Sequence, residues 1–258
     1  MSRKPAVVMA FAGLDPSGGA GLQADIQVIT ALGGHCAPIA TALTDQDTLM
    51  LKGYQTVDPD LLRRQAQSIL ADMPVAAIKI GMLGGVDNME VVASILEKHP
   101  QIPVILDPIL RAGGGGSMTD EESVAFMKLR LFPWVTVLTP NVAEAKALSG
   151  CDDVDEAAAA VMGMGCTHAL VTGGDEDGVR IINGYYDRDG YREHFFWTRL
   201  PGAYHGTGCT LASAIATRIA QGVAPDKAVV QAQEYTYSCV QFAYSVGRGQ
   251  LIPDRWKG

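Results

Sequence analysis

The sequence predicts an α/β fold built on a doubly wound, mostly parallel sheet flanked by helices. Three observations predict it. Short apolar runs without strict alternation suit strands buried on both faces. Longer amphipathic stretches separate most of those runs, as strand–helix–strand crossovers require. The runs end in glycine-rich or carboxylate-bearing segments, and open parallel sheets bind ligands beyond the carboxyl ends of their strands.

The apolar runs lie at 6–14, 36–43, 76–80, 104–106, 135–138 and 169–171. Helices are predicted over 21–32, 59–71, 88–97 and 121–131, the second with Asp58 as its cap and Pro59 at its first position. The regularity breaks after Gly174. Segments 179–186 and 191–198 are strand-like and flank Asp187-Arg-Asp-Gly190, which predicts a hairpin and an antiparallel edge. Helices are predicted again over 210–221 and 226–246. With neither a fixed-period repeat nor a linker, residues 1–258 read as a single domain.

Composition narrows the function. Of 258 residues, 48% are hydrophobic and 19% charged, enough for a sizeable core and too apolar for disorder. The net charge of −8 and the lack of a long basic run argue against nucleic acid or an anionic membrane as main partner. Run 6–14 is too short to span a bilayer and lacks a secretory cleavage pattern. Cys36, Cys151, Cys166, Cys209 and Cys239 are odd in number and form no C-x-x-C pair, which argues against zinc or a disulfide framework and for a reducing cytoplasm. A P-loop, G-x-S-x-G and H-E-x-x-H are all absent.

Several segments suit chemistry. G-L-D-P-S-G-G-A-G at 13–21 joins the first strand to a helix. Its G-x-G-x-x-A at 19–24, with Asp45 downstream, permits a dinucleotide-binding reading; residues 15–18 count against it, because that motif turns directly after the strand. In T-P-N-V-A-E at 139–144, Asn141 and Glu144 can form a capping box, or can hold a magnesium–phosphate unit through waters. Asp107 ends a buried strand, which is costly unless the carboxylate is paired, metal-linked or capping the next loop. The four glycines within 111–117 suit a plain flexible loop or a lid over phosphates. In H-G-T-G-C-T-L at 205–211, Gly206 and Gly208 leave unpartnered helix-start N–H groups open to an anion. Cys209 falls in the first turn, where the helix dipole is expected to lower a thiol's pKa and make it a proton acceptor. An inert buried cysteine, or a Cys209–His205 nucleophile pair, are the alternatives.

Four segments in this order, A-G-L-D-P-S-G-G-A-G-L-Q-A-D at 12–25, T-P-N-V-A-E-A at 139–145, V-T-G-G at 171–174 and H-G-T-G-C-T-L at 205–211, resemble the ribokinase-like superfamily. Within it the chain is most similar to the hydroxymethylpyrimidine/phosphomethylpyrimidine kinases of thiamine biosynthesis. The resemblance implies a ribokinase-like fold, ATP as phosphoryl donor, Mg2+, a pyrimidine alcohol and its phosphate as substrates, a cytoplasmic location and a homodimer. It implies a pyrimidine pocket at Gly13, Asp25, Gln46, Met82 and Ile109, with Asp25 and Gln46 reading the ring edge. It implies an anion hole at Gly206, Thr207 and Gly208 and a general base at Cys209, where many superfamily relatives carry Asp. Nucleotide contacts fall on Asn141, Thr172, Gly173 and Gly174, and metal-linked groups on Asn141, Glu144 and Asp107. Relatives often have Lys where this chain has Thr172; Arg111 and Arg180 are the nearby cations expected to take its place. A pyridoxal or pyridoxine kinase, and a ligand-binding homologue with weak chemistry, are the competing functions.

Overall fold

The computed structural model describes residues 4–112, 116–117, 120–190 and 192–258. Eleven strands and eight α-helices follow one another as β1 (Val7–Leu14), α1 (Gly21–Ala31), β2 (His35–Gln46), β3 (Leu51–Thr56), α2 (Pro59–Asp72), β4 (Val75–Ile80), α3 (Val86–Lys98), β5 (Val104–Leu106), β6 (Arg111–Ala112), β7 (Gly116–Ser117), α4 (Glu121–Phe126), β8 (Val137–Leu138), α5 (Val142–Ser149), α6 (Val154–Gly163), β9 (His168–Val171), β10 (Arg180–Asp187), β11 (Arg192–Thr198), α7 (Thr207–Ala220) and α8 (Pro225–Gln241) among the described residues. Nine strands form one sheet in the order β11-β10-β9-β8-β5-β4-β1-β2-β3, and β6 pairs separately with β7. From β2 to β9 the pairing is parallel. β3 closes one edge antiparallel, and the β10–β11 hairpin closes the other.

Successive residues of each central strand serve opposite core layers, as the two-residue strand period dictates. Met9, Ile78, Leu106 and Leu138 pack with Leu62 of α2 and Val92 and Leu96 of α3. Their neighbours Val8, Ala77, Ile105 and Val137 pack with Val28 and Ile29 of α1, Ile215 of α7 and Val229 of α8. Alanines at 212, 214 and 216 are fully buried, so α7 lies close against the sheet.

The expected sheet and the antiparallel edge are both present. β3 and α6 are additional. β3 is mostly exposed, so its sequence L-K-G-Y-Q-T lacks an apolar run. α6 is alanine-rich and capped by Asp153, which accepts the Glu156 N–H. The helix expected over 226–246 ends at Gln241, after which Tyr244 pairs with Ile252. The helix expected over 121–131 changes character: α4 ends at Phe126 and widens into a π-turn over Met127–Leu131. Among the described residues, no helix is long and apolar enough to cross a membrane.

One charged pair lies inside this core. Lys79 on β4 and Asp25 on α1 both have 0% side-chain exposure, and Lys79 Nζ sits 2.9 Å from one Asp25 oxygen and 3.0 Å from the other. Ser213 of α7 donates to the same carboxylate at 2.6 Å. Burial works against the ammonium, but the Asp25 charge outweighs it and holds the Lys79 pKa above its ordinary value. Removing one partner strands the other charge, so Lys79→Met is expected to cost about 3–5 kcal/mol in urea denaturation, and the Lys79→Met/Asp25→Leu pair substantially less.

Candidate functional site

The carboxyl ends of the parallel strands open into a crevice with two adjoining cavities. One, about 240 Å³, is lined by Gly13, Gln46, Met82, Ile109, Asp107 and Cys209 among others. The second, about 350 Å³, is lined by Gly174, Trp197, Arg199, Gln233 and Tyr237. Thr172, Asp175, Thr207 and Gly208 belong to both walls. The start of α7 thus stands where the two cavities meet.

That start is shaped by backbone requirements. Gly206, at φ +81°, precedes α7 without a side-chain cap, leaving helix-start N–H groups for a ligand. A Cβ on Gly206 would stand 2.1 Å from the Gly19 carbonyl, and one on Gly21, at φ +56°, 2.2 Å from the Gly13 carbonyl. Only glycine allows the first loop and α7 this approach. Asp15 folds the loop from within: it accepts the Ser17 N–H at 2.8 Å, the Ser17 hydroxyl at 2.9 Å and the Ala20 N–H at 2.8 Å. Its second oxygen also lies 2.8 Å from His205 Nε2. Burial raises the Asp15 pKa, but the hydrogen bonds from His205 and Ser17 outweigh it and leave it lowered. Loop N–H groups are therefore spent internally, and the fingerprint glycines make no phosphate cradle of the dinucleotide kind. Buried Arg255 locks loop to helix, donating to Thr210 Oγ1 at 3.0 Å, Gln27 at 3.0 Å and the Gly19 carbonyl at 2.5 Å.

Across the crevice, Asn141 and Glu144 form the expected capping box at the start of α5. Glu144 accepts the Asn141 N–H and the Leu110 N–H, both at 3.0 Å, while the Asn141 amide donates to Asp175 at 2.8 Å. Asp107 approaches the α7 start closely: a Cβ on Gly208 would lie 3.3 Å from its carboxylate. Burial, then repulsion from Glu144, push Asp107 up to about 7 despite the pull of Lys79. Burial raises Glu144 as well, against its two backbone hydrogen bonds. Crowded carboxylates of this kind suit an oxygen-seeking divalent cation such as Mg2+. No set of three His, Cys, Asp or Glu side chains is arranged to grip a metal directly among the described residues, so such an ion would be held largely through waters and substrate oxygens.

The family description for phosphomethylpyrimidine kinase matches residues 15–254. The chain belongs to the phosphomethylpyrimidine kinase family. It is 35% identical over 256 residues to a hydroxymethylpyrimidine/phosphomethylpyrimidine kinase of Streptomyces coelicolor, covering 95% of this chain and 92% of that protein. It is 35% identical over 250 residues to a thiamine biosynthesis bifunctional protein of Geobacter sulfurreducens, covering 94% of this chain but only 50% of that longer protein. In structure it is similar to a Staphylococcus aureus pyridoxal kinase in complex with AMP-PCP and pyridoxal, with a TM-score of 0.87, 26% identity, and 99% and 95% of the two chains covered.

Within this kinase family, the geometry sorts the expected site residues. Gly13, Gln46, Met82, Ile109, Asp107, Asn141, Glu144, Thr172 and the segment 206–209 meet on the crevice wall. Asp25 does not. It is fully buried and bound by Lys79 and Ser213, so its expected reading of a pyrimidine edge is corrected: it holds the floor beneath the crevice. Cys209 is where expected, but its ionisation is not. Burial pushes the thiol up to about 11; Lys79 and the Gly21 N–H pull it down, Asp25 and Asp107 push it further up. Desolvation thus defeats the helix dipole. Gln46 faces the cavity while its amide lies 2.8 Å from His205 Nε2. Ile109 adopts φ +37°, a strained conformation for a β-branched residue. Gly173 donates its N–H to Asn183 at 3.0 Å, so that group is occupied. Arg180 is exposed at the start of β10 and outside both cavities, which corrects its expected role. Of the lid expected over 111–117, residues 113–115 lie outside the described residues, as does the Arg111 side chain, while β6 and β7 flank them.

Lys79, Asp15, Asp175, Arg199 and Arg255 were not singled out from sequence. Lys79 left a signal, a lone charge in the apolar strand V-A-A-I-K-I. Asp15 yields a pH prediction. A lowered native pKa stabilises above the unfolded value of about 4 and is lost as pH falls through the native value. The stability difference between wild type and Asp15→Asn, followed by urea denaturation, is expected to be constant from about pH 5 to 7 and to shrink below about pH 4.

Proposed function

We propose that this protein is an ATP- and magnesium-dependent kinase that phosphorylates the hydroxymethyl group of 4-amino-5-hydroxymethyl-2-methylpyrimidine and then converts the monophosphate to the diphosphate. The observation that carries the reading is the uncapped start of α7, standing between a small-molecule cavity and a second cavity walled by Trp197 and Tyr237. Those two rings pack against each other at 5.0 Å and together offer an aromatic wall on which a nucleobase can rest. Met82 and Ile109 wall the pyrimidine, and Gln46 is the polar group left to read its edge. The substrate oxygen attacks the γ-phosphorus in line, the bond to the ADP oxygen breaks, and the N–H groups of Gly206, Thr207 and Gly208 stabilise the charge on the transferring oxygens. Mg2+, held from the Asp107, Asn141 and Glu144 side, would offset phosphate charge. The substrate proton passes to the Cys209 sulfur in its ionised thiolate form, which leaves the neutral thiol. Since that thiol is neutral at rest, the rate should rise with pH above neutrality. The chain is read as one catalytic unit acting as a homodimer in the cytoplasm.

The 0.87 TM-score to a pyridoxal kinase favours one second reading, a pyridoxal or pyridoxine kinase. Mass spectrometry of products from pyrimidine and pyridoxine alcohols with Mg·ATP decides. The pyrimidine mono- and diphosphate are expected; exclusive pyridoxine phosphorylation overturns the substrate assignment, and no product with either overturns the enzyme.

Cys209→Ala is expected to lower kcat by about 10²–10⁴ with little change in KM, as for loss of a general base. Asp107, titrating near 7, is the competing acceptor. Near-normal kcat in Cys209→Ala together with loss of the neutral pH dependence in Asp107→Asn would transfer the role.

A further inference from the structure

The crevice poses an electrostatic problem. Asp15, Asp47, Asp107, Glu144 and Asp175 line its two cavities, yet a nucleoside triphosphate brings several negative charges of its own. Among the described lining side chains there is a single lysine or arginine, Arg199. It follows β11 directly, on the wall that also carries Thr172, Gly174 and Thr207. Its Nε donates to the Gly178 carbonyl at 2.7 Å and its Nη1 to the Gly174 carbonyl at 2.6 Å. Its Nη2 donates to the carbonyls of Glu176 and, at 3.4 Å, Gly173. The guanidinium is thereby pinned across the turn after β9, half-buried, in a residue that lines the second cavity.

These contacts neutralise no charge, because every partner is a backbone carbonyl. The positive charge is not cancelled, the planar fork fixes its position, and one of the five N–H groups, on Nη1, is left over after these four contacts. The turn has little else to offer an anion: the Gly173 N–H is taken by Asn183, and Thr172 carries none of the charge a lysine would bring. We infer that Arg199 is the phosphate-binding cation of the nucleotide site, placing from β11 the positive charge that position 172 lacks. The inference rests on the kinase reading and names a residue outside the motifs that led to it.

The alternative is that Arg199 only clasps the turn. Arginine can bridge several carbonyls where lysine, a point charge on a flexible stem, cannot; a phosphate accepts either. Calorimetric titration of Mg·ATP and of adenosine into wild type, Arg199→Gln and Arg199→Lys separates the two, with thermal melts confirming folded variants. Arg199→Gln is expected to weaken Mg·ATP by about tenfold or more, as loss of a charged hydrogen-bond donor does, and to leave adenosine within about twofold. Arg199→Lys should recover most of the Mg·ATP affinity. Equal loss of Mg·ATP in both variants, loss of adenosine in parallel, or unchanged Mg·ATP binding in Arg199→Gln overturns the inference while the kinase reading stands. A wild-type protein that binds no Mg·ATP overturns both.

Discussion

The Lys79–Asp25 pair is the constraint on which the site depends. It is the one place where β4, α1 and α7 are joined by charge, through the ammonium, the carboxylate and the Ser213 hydroxyl. A buried pair is weak as a source of stability, because desolvation cancels most of the attraction. Its effect is on placement. α7 cannot slide along the sheet without stranding a charge, and α7 carries the uncapped turn where the two cavities meet. α1 is fixed by the same pair, and the N–H of its first residue, Gly21, helps lower the pKa of the Cys209 thiol. Arg255 repeats the device on the outer side, tying Gln27 of α1 and Thr210 of α7 to the Gly19 carbonyl. Two cations with little or no exposed surface thus set the angle between the glycine loop and the helix that serves it.

That rigidity accounts for the glycines better than phosphate binding does. The loop at 13–21 looks in sequence like a phosphate cradle, but its N–H groups are consumed by Asp15 and Ser17. Gly21 and Gly206 are needed because two backbones pass within a distance that a Cβ would block. Of these two segments, it is the start of α7 whose N–H groups have no side-chain cap, with the first loop as its support.

The sheet, its antiparallel hairpin and most helices were legible because apolar runs and turn residues are local signals. The meeting of Asp107, Asn141, Glu144, Thr172 and Cys209 was legible as well, since each ends a strand or begins a helix on the same side of a parallel sheet. What was not legible depends on direction or depth. Asp25 lies on a helix whose sequence does not say whether that carboxylate faces the floor or the crevice; only its partner Lys79, 54 residues away, decides that. The Cys209 thiol was judged by its helix position, whereas the full burial that governs it is a property of the packed α7–sheet contact. Arg199 sits in no motif, and its significance appears only when the crevice is seen to be lined by carboxylates.

The same carboxylates give a reason for a thiol at position 209. The ribokinase-like resemblance implies aspartate there in many relatives, and a carboxylate in this chain would join Asp107, itself already pushed up to about 7 by burial and by Glu144. A further buried negative charge would raise both groups and oppose the incoming phosphates. On the proposed kinase reading a thiol is mostly neutral while the nucleotide binds, and only its minor ionised form would accept the proton. Lys79, beneath it, is the group that lowers the thiol's pKa. Phosphoryl transfer through a loose transition state asks little of a base until the new bond is nearly made. On the proposed kinase reading, an acceptor that is mostly neutral while the nucleotide binds therefore suits this crevice better than a permanent anion does.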